Sequence, residues 1–295
     1  MSIYLTGASG FVGKNIIEFF RDKKTIIKAT RITSIEIEEE VIIHLAGKAH
    51  DLKGASSSDE YYKVNTELTK EIFDAFLISE AKVFIILSSV KAVADEVDGE
   101  LTEDVTPNPI THYGKSKLLA EQYILSQPIP DGKKVYILRP CMIHGPGNKG
   151  NLNLLYSLIS KGFPWPLGLF ENYRSYLSIE NLCFIIKELI EREDIPSGVY
   201  NVADDVPLST NEVIKMIAAS KGKKARILNL SKNLIKVLAR IGDILKLPLN
   251  SERLQKLTES YEVSNAKIKK ALGKQLPVSS NEGLMRTFQS FANNV

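Results

Sequence analysis

Seven residues near the start of the chain, Gly7-Ala8-Ser9-Gly10-Phe11-Val12-Gly13, restrict the choice of fold more than any other segment. They follow the apolar run Ile3 to Thr6 and open a stretch of helical period, Phe11 to Phe20. Glycines at these offsets, between a buried strand and a helix, are what a dinucleotide-binding turn requires. Gly7 permits the tight turn, Gly10 lets the backbone approach a pyrophosphate, and Gly13 lets the helix pack close to the strand. The free amides of the first helical turn, with the helix dipole behind them, face the anion. An ordinary strand–turn–helix can carry glycines as well, and the position and context separate the two.

The following residues keep the rhythm of a parallel sheet with helices on both faces. Strands are expected at residues 3–6, 26–30, 41–45, 83–87 and 135–138, and helices at 11–20, 65–79 and 112–125. Val41-Ile42-Ile43-His44-Leu45 is nearly continuous in apolar residues, as a doubly covered strand should be. Beyond about residue 150 the rhythm loosens around Phe163-Pro164-Trp165-Pro166-Leu167-Gly168, then returns with a helix at 179–191 and a strand at 199–202. The expected fold is α/β: a Rossmann doubly wound parallel sheet with a smaller, mostly helical C-terminal substrate domain. Residues 1–150 with about 179–203 form the cofactor-binding part, and 151–178 with 204–295 the substrate part.

Composition excludes several classes. A net charge of +3 on 295 residues does not point to nucleic acid. Two cysteines, Cys141 and Cys183, and four histidines form no metal-ligand pattern, so no metal is expected. The N-terminus lacks the basic and apolar regions of a signal peptide, and no apolar run approaches the ~20 residues of a membrane span. A cytoplasmic protein without an integral membrane segment is expected.

Two further positions carry chemistry. The second strand ends Lys28-Ala29-Thr30-Arg31, without the acid that usually holds the adenosine ribose of NAD. Arg31 can instead accommodate a 2′-phosphate, which favours NADP over NAD; a solvated surface arginine is the alternative. Tyr113 and Lys117 stand at i,i+4 spacing and project from one helix face. A free phenol has a pKa of ~10 and is a poor base near neutrality. A nearby lysine cation and an oxidised nicotinamide favour the phenolate and make Tyr113 a credible proton acceptor or donor. Ser88-Ser89 ends a strand at the carboxyl edge of the sheet, where a hydroxyl can hold the reacting oxygen of a substrate.

Taken together, Gly7, Gly10 and Gly13, His44-Leu45-Ala46-Gly47, Leu87-Ser88-Ser89, Tyr113 with Lys117, and Leu138-Arg139-Pro140 before Gly145-Pro146-Gly147 resemble the extended short-chain dehydrogenases/reductases of the NAD-dependent epimerase/dehydratase family. The resemblance covers essentially the whole chain. It implies a catalytic set of Ser89, Tyr113 and Lys117, with Ser89 rather than Ser88 matching the motif. It implies a nicotinamide cofactor along Phe11, Val12, Leu45, Ala46, Gly47, Asn65 and Pro140 besides the glycines, and a nucleotide sugar as substrate. Asn151 resembles the family's asparagine at the diphosphate. Arg174 and Arg253, with Lys256 as a competitor for the latter, resemble its diphosphate arginines. Two guanidinium groups can clamp a pyrophosphate, and a surface salt bridge is the alternative for each. The resemblance also implies a homodimer through the helices at 65–79 and 112–125.

Sugar-nucleotide dehydratases of the family carry an Asp-Glu pair after the catalytic hydroxyl; here Val90-Lys91 follows Ser89, which argues against elimination of water. A 4-ketoreductase using NADPH and a 4-epimerase retaining NAD remain, and Arg31 leans towards the first. A non-catalytic NAD(P) sensor would be expected to have lost Tyr113 and Lys117. Residues 230–247 are amphipathic, with Leu234, Val237, Leu238, Ile241 and Leu245 on one face and Lys232, Lys236 and Arg240 on another. Packing on its own domain is the usual outcome for such a helix, and an anionic membrane surface is the alternative. Trp165, between two prolines, is expected to line or cover the substrate pocket.

Overall fold

The computed structural model describes residues 1–21, 26–29, 37–48, 57–148, 150–246 and 250–292; the side chains of 26–29 and of Asn151 are outside it. Six parallel strands make the central sheet: β1 (Ser2–Thr6), β2 (Ile26–Ala29), β3 (Val41–His44), β4 (Val83–Leu87), β5 (Lys134–Pro140) and β6 (Gly198–Val202). Their order across the sheet is β6-β5-β4-β3-β1-β2. Alternate residues feed two cores, because successive side chains of a strand point to opposite faces. Ile3, Leu5, Val41, Ile43 and Ile85 pack beneath α1 (Phe11–Phe20) and α5 (Ile179–Glu191). Tyr4, Ile42, Phe84 and Ile86 pack on the opposite face against Ile72, Phe73 and Phe76.

Those three residues belong to a long helix, α2, built from Ser58–Tyr61, a π-helical turn Tyr62–Glu67 and Leu68–Ile78. It begins seven residues before the position the apolar period indicates, since its first turns carry polar residues on an exposed face. α3 (His112–Ser126) lies beside it. β5 also differs from expectation: it runs through Arg139-Pro140 instead of stopping before them, because β6 continues its pairing to Val202 opposite Pro140.

The remaining helices are α4 (Asn151–Ser160), α6 (Thr210–Ala219), α7 (Lys232–Leu245), α8 (Ser251–Thr258), α9 (Ala266–Leu272) and α10 (Ser280–Ala292). A separate apolar cluster of Tyr156, Ile214, Ile235, Leu284 and Phe288 joins α4, α6, α7 and α10. Trp165 is buried in this cluster at 3% exposure, so the expectation that it lines or covers a pocket is corrected. Its flanking prolines bring the chain alongside Arg226 to Leu228, where the Trp165 amide and carbonyl both find backbone partners. α9 returns to the sheet: Ile268 and Leu272 pack in the same cluster as Tyr200 and Val202.

Candidate active site

The winding of the sheet reverses beside β1, where the chain passes outward to β2 and then back across to β3. A crevice opens at the carboxyl ends of strands at such a reversal. Gly7 sits there in the left-handed region, with φ of 72°. A Cβ on it would lie 2.7 Å from the Ala46 amide and 2.9 Å from the Leu45 carbonyl oxygen, so only glycine fits. A Cβ on Gly13 would lie 2.4 Å from the Gly7 carbonyl oxygen, which enforces close packing of α1 on the turn. α1 begins after Gly10 with no capping side chain and no acid in its first turn, leaving that end suited to an anion. The Leu45-Ala46-Gly47 segment forms the opposite wall. Gly47 faces Asn65 and Lys117, and a Cβ there would lie 3.1 Å from Asn65 Oδ1 and from Lys117 Nζ. Pro140 closes the carboxyl end of β5. This cradle fits a nicotinamide dinucleotide. Arg31 and the side chain of Asn151 lie outside the described residues.

Ser89 follows β4 in extended conformation and accepts a hydrogen bond from the Lys91 amide at 3.2 Å. Its hydroxyl also hydrogen-bonds Tyr113, on the first turn of α3. Burial raises the Tyr113 pKa above its ordinary value, and the Ser89 hydrogen bond works against that rise. Lys117 lies one turn along α3 and donates to the Leu87 carbonyl oxygen at 2.9 Å. Burial lowers its pKa to about 8, opposed by Glu121 one further turn on. Ser88 points elsewhere: its hydroxyl donates to Glu121, which holds Arg139 through Nε at 3.1 Å and a terminal nitrogen at 2.5 Å. The two adjacent serines therefore have separate partners. Tyr113, Lys117 and Glu121 stand at i, i+4 and i+8 on one face of α3, a polar row that by itself reads as solvated and that only Ser88, Arg139 and the Leu87 carbonyl turn inward.

The π-helical turn in α2 positions Asn65, which is fully buried. Asn65 Oδ1 accepts from the Lys48 amide at 2.7 Å, while Nδ2 donates to the Lys48 carbonyl oxygen at 3.1 Å and to Ser116 Oγ at 3.0 Å. Its own carbonyl accepts from Thr69 Oγ1 at 2.8 Å, satisfying a group the wide turn alters. Asn65 thus ties the strand-end segment after β3 to α3. His44, at the end of β3, bridges Thr6 Oγ1 at 2.8 Å and Thr69 Oγ1 at 2.9 Å. Burial, and then the Lys117 charge, hold its pKa near 3, so its ring is neutral and structural.

On the other side of Ser89, Lys91 donates to the Asp95 carbonyl oxygen at 2.6 Å and lies over the Tyr261 ring at 4.1 Å. Its pKa is lowered, chiefly by burial, with Asp95 and Glu259 opposing. Arg174 is partly buried and pairs with Glu259 at 2.7 Å. Arg253 stands on the exposed first turn of α8, and Lys256 pairs with Glu252 on the same helix at 2.6 Å. The Arg174 partner comes from 85 residues away, so no local pattern announces it. Lys91 was visible in sequence as the residue two after Ser89, but only as the absence of an acid. The described residues contain no cluster of histidine, cysteine, aspartate and glutamate suited to a metal.

Residues 25–203 match the family described as NAD dependent epimerase/dehydratase. The chain belongs to this family. Over 99% of its length it is 31% identical to a UDP-glucose 4-epimerase of Vibrio cholerae, covering 97% of that protein. It is 27% identical over 98% of its length to the N-acetyl-alpha-D-glucosaminyl-diphospho-ditrans,octacis-undecaprenol 4-epimerase of Escherichia coli O157:H7, covering 94% of that protein. In fold it resembles the UDP-glucuronic acid 4-epimerase of Bacillus cereus solved with NAD, at a TM-score of 0.75 and 18% identity, with 100% and 99% of the two chains covered. As a member of the NAD-dependent epimerase/dehydratase family, the protein is an NAD(P)-dependent enzyme with a Rossmann fold.

Proposed function

We propose that the protein is a nucleotide-sugar 4-epimerase that keeps NAD bound through turnover. The observation that carries this reading is the wall beside Tyr113: a Ser89 hydroxyl on the phenol, a buried Lys117 behind it, and a lysine instead of an acid–base pair on the Val90–Ala92 turn. The near full-length similarity to a UDP-glucose 4-epimerase supports it.

The nicotinamide, when bound, supplies a carbon that takes a hydride and returns it, and its oxidised ring adds a positive charge to the site. Tyr113 takes the proton from the ring hydroxyl under oxidation and gives it back once the keto sugar has turned to present its other face. Ser89 holds that oxygen by a hydrogen bond. The Lys117 cation, kept in place by the Leu87 carbonyl, favours the phenolate that burial otherwise disfavours. Asn65 fixes the distance between the Gly47 wall and α3. Arg174 holds the substrate diphosphate, with Arg253 as its proposed partner. Lys91 closes the side of the site on which a dehydratase needs carboxylates.

The second reading is a 4-ketoreductase using NADPH, favoured by Arg31 where an acid usually holds the ribose of NAD. Denaturing the purified protein and identifying the released nucleotide separates the two. Stoichiometric NAD, with interconversion of UDP-glucose and UDP-galactose and no net change in cofactor oxidation, is the expected result. Protein that arrives empty, binds NADPH more tightly than NADH and reduces a 4-keto sugar would replace the epimerase reading. Arg174→Ala is expected to raise KM about 10- to 100-fold for a nucleotide sugar. An equal effect on a sugar lacking the diphosphate would remove Arg174 from that role.

A further inference from the structure

Seven of the twenty large apolar residues exposed among the described residues fall within positions 228–245. That concentration singles out α7. Only Ile235, Ala239 and Gly242 of this helix are buried, and they form the narrow stripe that packs on its own domain. Leu234, Val237, Leu238, Ile241, Ile244 and Leu245 face outward at 43–81% exposure. With 3.6 residues per turn, these six cover roughly a third of the circumference. Lys232, Lys236 and Arg240, spaced i, i+4 and i+8, form an exposed row along one flank between the buried and outward faces. The one acid on the helix, Asp243, is engaged: Ser251 donates to it through its amide at 2.9 Å and its hydroxyl at 2.5 Å.

This arrangement calls for an anionic, apolar-edged partner. Two copies packed antiparallel through α7 would set both cation rows on the same side, with no free helix carboxylate to meet them. A bilayer with anionic headgroups supplies both an apolar layer and phosphates. The helix is also linked to the candidate site. Asp243 holds the start of α8; farther along α8, Gln255 donates to Glu96 at 2.8 Å in the loop after Lys91. Glu259, immediately after α8, pairs with Arg174.

We propose that α7 is a membrane-surface helix. Its outward apolar face enters the boundary of an anionic bilayer, its cation row meets lipid phosphates, and the Arg174 end of the site is thereby held near that surface. The docking does not depend on which reaction the site performs.

Co-sedimentation of the full chain with vesicles tests this directly. The wild type is expected to pellet with phosphatidylglycerol/phosphatidylethanolamine vesicles, less so as salt rises, and weakly with phosphatidylcholine alone. Ile241→Glu with Ile244→Glu is expected to lower binding by at least about tenfold. Lys236→Glu with Arg240→Glu should lower binding to the anionic vesicles selectively. All four positions are exposed, and an unchanged thermal melt with unchanged turnover of a soluble nucleotide sugar shows that loss of binding is not misfolding. Wild-type protein that stays in solution at every lipid concentration overturns the proposal, as does undiminished binding by the Ile241/Ile244 variant. A dimer that the same variant dissociates, without vesicle binding by either form, assigns the face to a second copy instead. The vesicle readout requires no turnover, so failure of the epimerase reading leaves it intact.

Discussion

α3 and α7 are nearly equal in length, 15 and 14 residues, but α3 buries polar and charged side chains beside Ala120 and Ile124, whereas α7 buries only Ile235, Ala239 and Gly242. α3 has little apolar periodicity, yet turns Ser116, Lys117 and Glu121 inward. Each of those groups meets a partner already in place: Asn65, the Leu87 carbonyl, and Arg139 with Ser88. α7 has a pronounced apolar face and leaves it outside, burying a stripe that includes Ala239 and Gly242. The inward face of a helix is therefore set by what stands opposite it. Buried polar groups are tolerated where their hydrogen bonds are complete.

Four substitutions break or sharpen that contrast, beginning with the largest effect. Tyr113→Phe keeps the shape of α3 and removes its reacting hydroxyl; turnover should fall by about 10²- to 10⁴-fold, with cofactor binding by calorimetry nearly unchanged. Near-normal turnover would show that the inward polar face of α3 is structural only. Glu121→Leu leaves Arg139 and Ser88 without their carboxylate inside the protein, and urea unfolding should show a loss of about 3–5 kcal/mol. A loss near zero would mean that the polar face is no more constrained than the exposed face of α7.

Lys117→Met should abolish most activity but alter stability in a pH-dependent way. The folded protein releases the Lys117 proton near pH 8, whereas the unfolded chain keeps it to about pH 10.5. Between those values the unfolded state binds more protons, so wild-type stability gains from rising pH; below pH 8 the buried cation opposes folding. Relative to the variant, the wild type should gain on the order of 3 kcal/mol across that window. Parallel stability profiles for the two proteins would show that Lys117 is not desolvated as its surroundings imply. Val237→Ser, on the outward face of α7, should change stability by no more than about 0.5 kcal/mol. A larger loss would show that this face is covered in solution.

Local patterns carried much of the fold. The Gly7, Gly10 and Gly13 spacing, the alternating strands and the i,i+4 pair of Tyr113 and Lys117 depend on residues close in sequence, and the structure puts them on one edge of the sheet. The resemblance implies Asn65 at the cofactor wall, but its π-helical turn has no composition of its own, and the side chain it carries bonds the Lys48 backbone and Ser116 together. The clamp of Arg174 with Arg253 is what the family resemblance implies, whereas the pairing of Arg174 with Glu259 depends on a crossing of distant segments.

The sequence by itself determined the α/β class, the strand–turn–helix that cradles a dinucleotide, and the side chains offered to the chemistry, because backbone conformation and periodicity are local properties. Tertiary structure alone decided that Ser88 serves Arg139 through Glu121 while Ser89 meets Tyr113, that Trp165 fills a core, and that the apolar face of α7 points outward. Those outcomes depend on which surfaces meet across the fold, and burial and hydrogen-bond completion are settled only when distant segments come into contact.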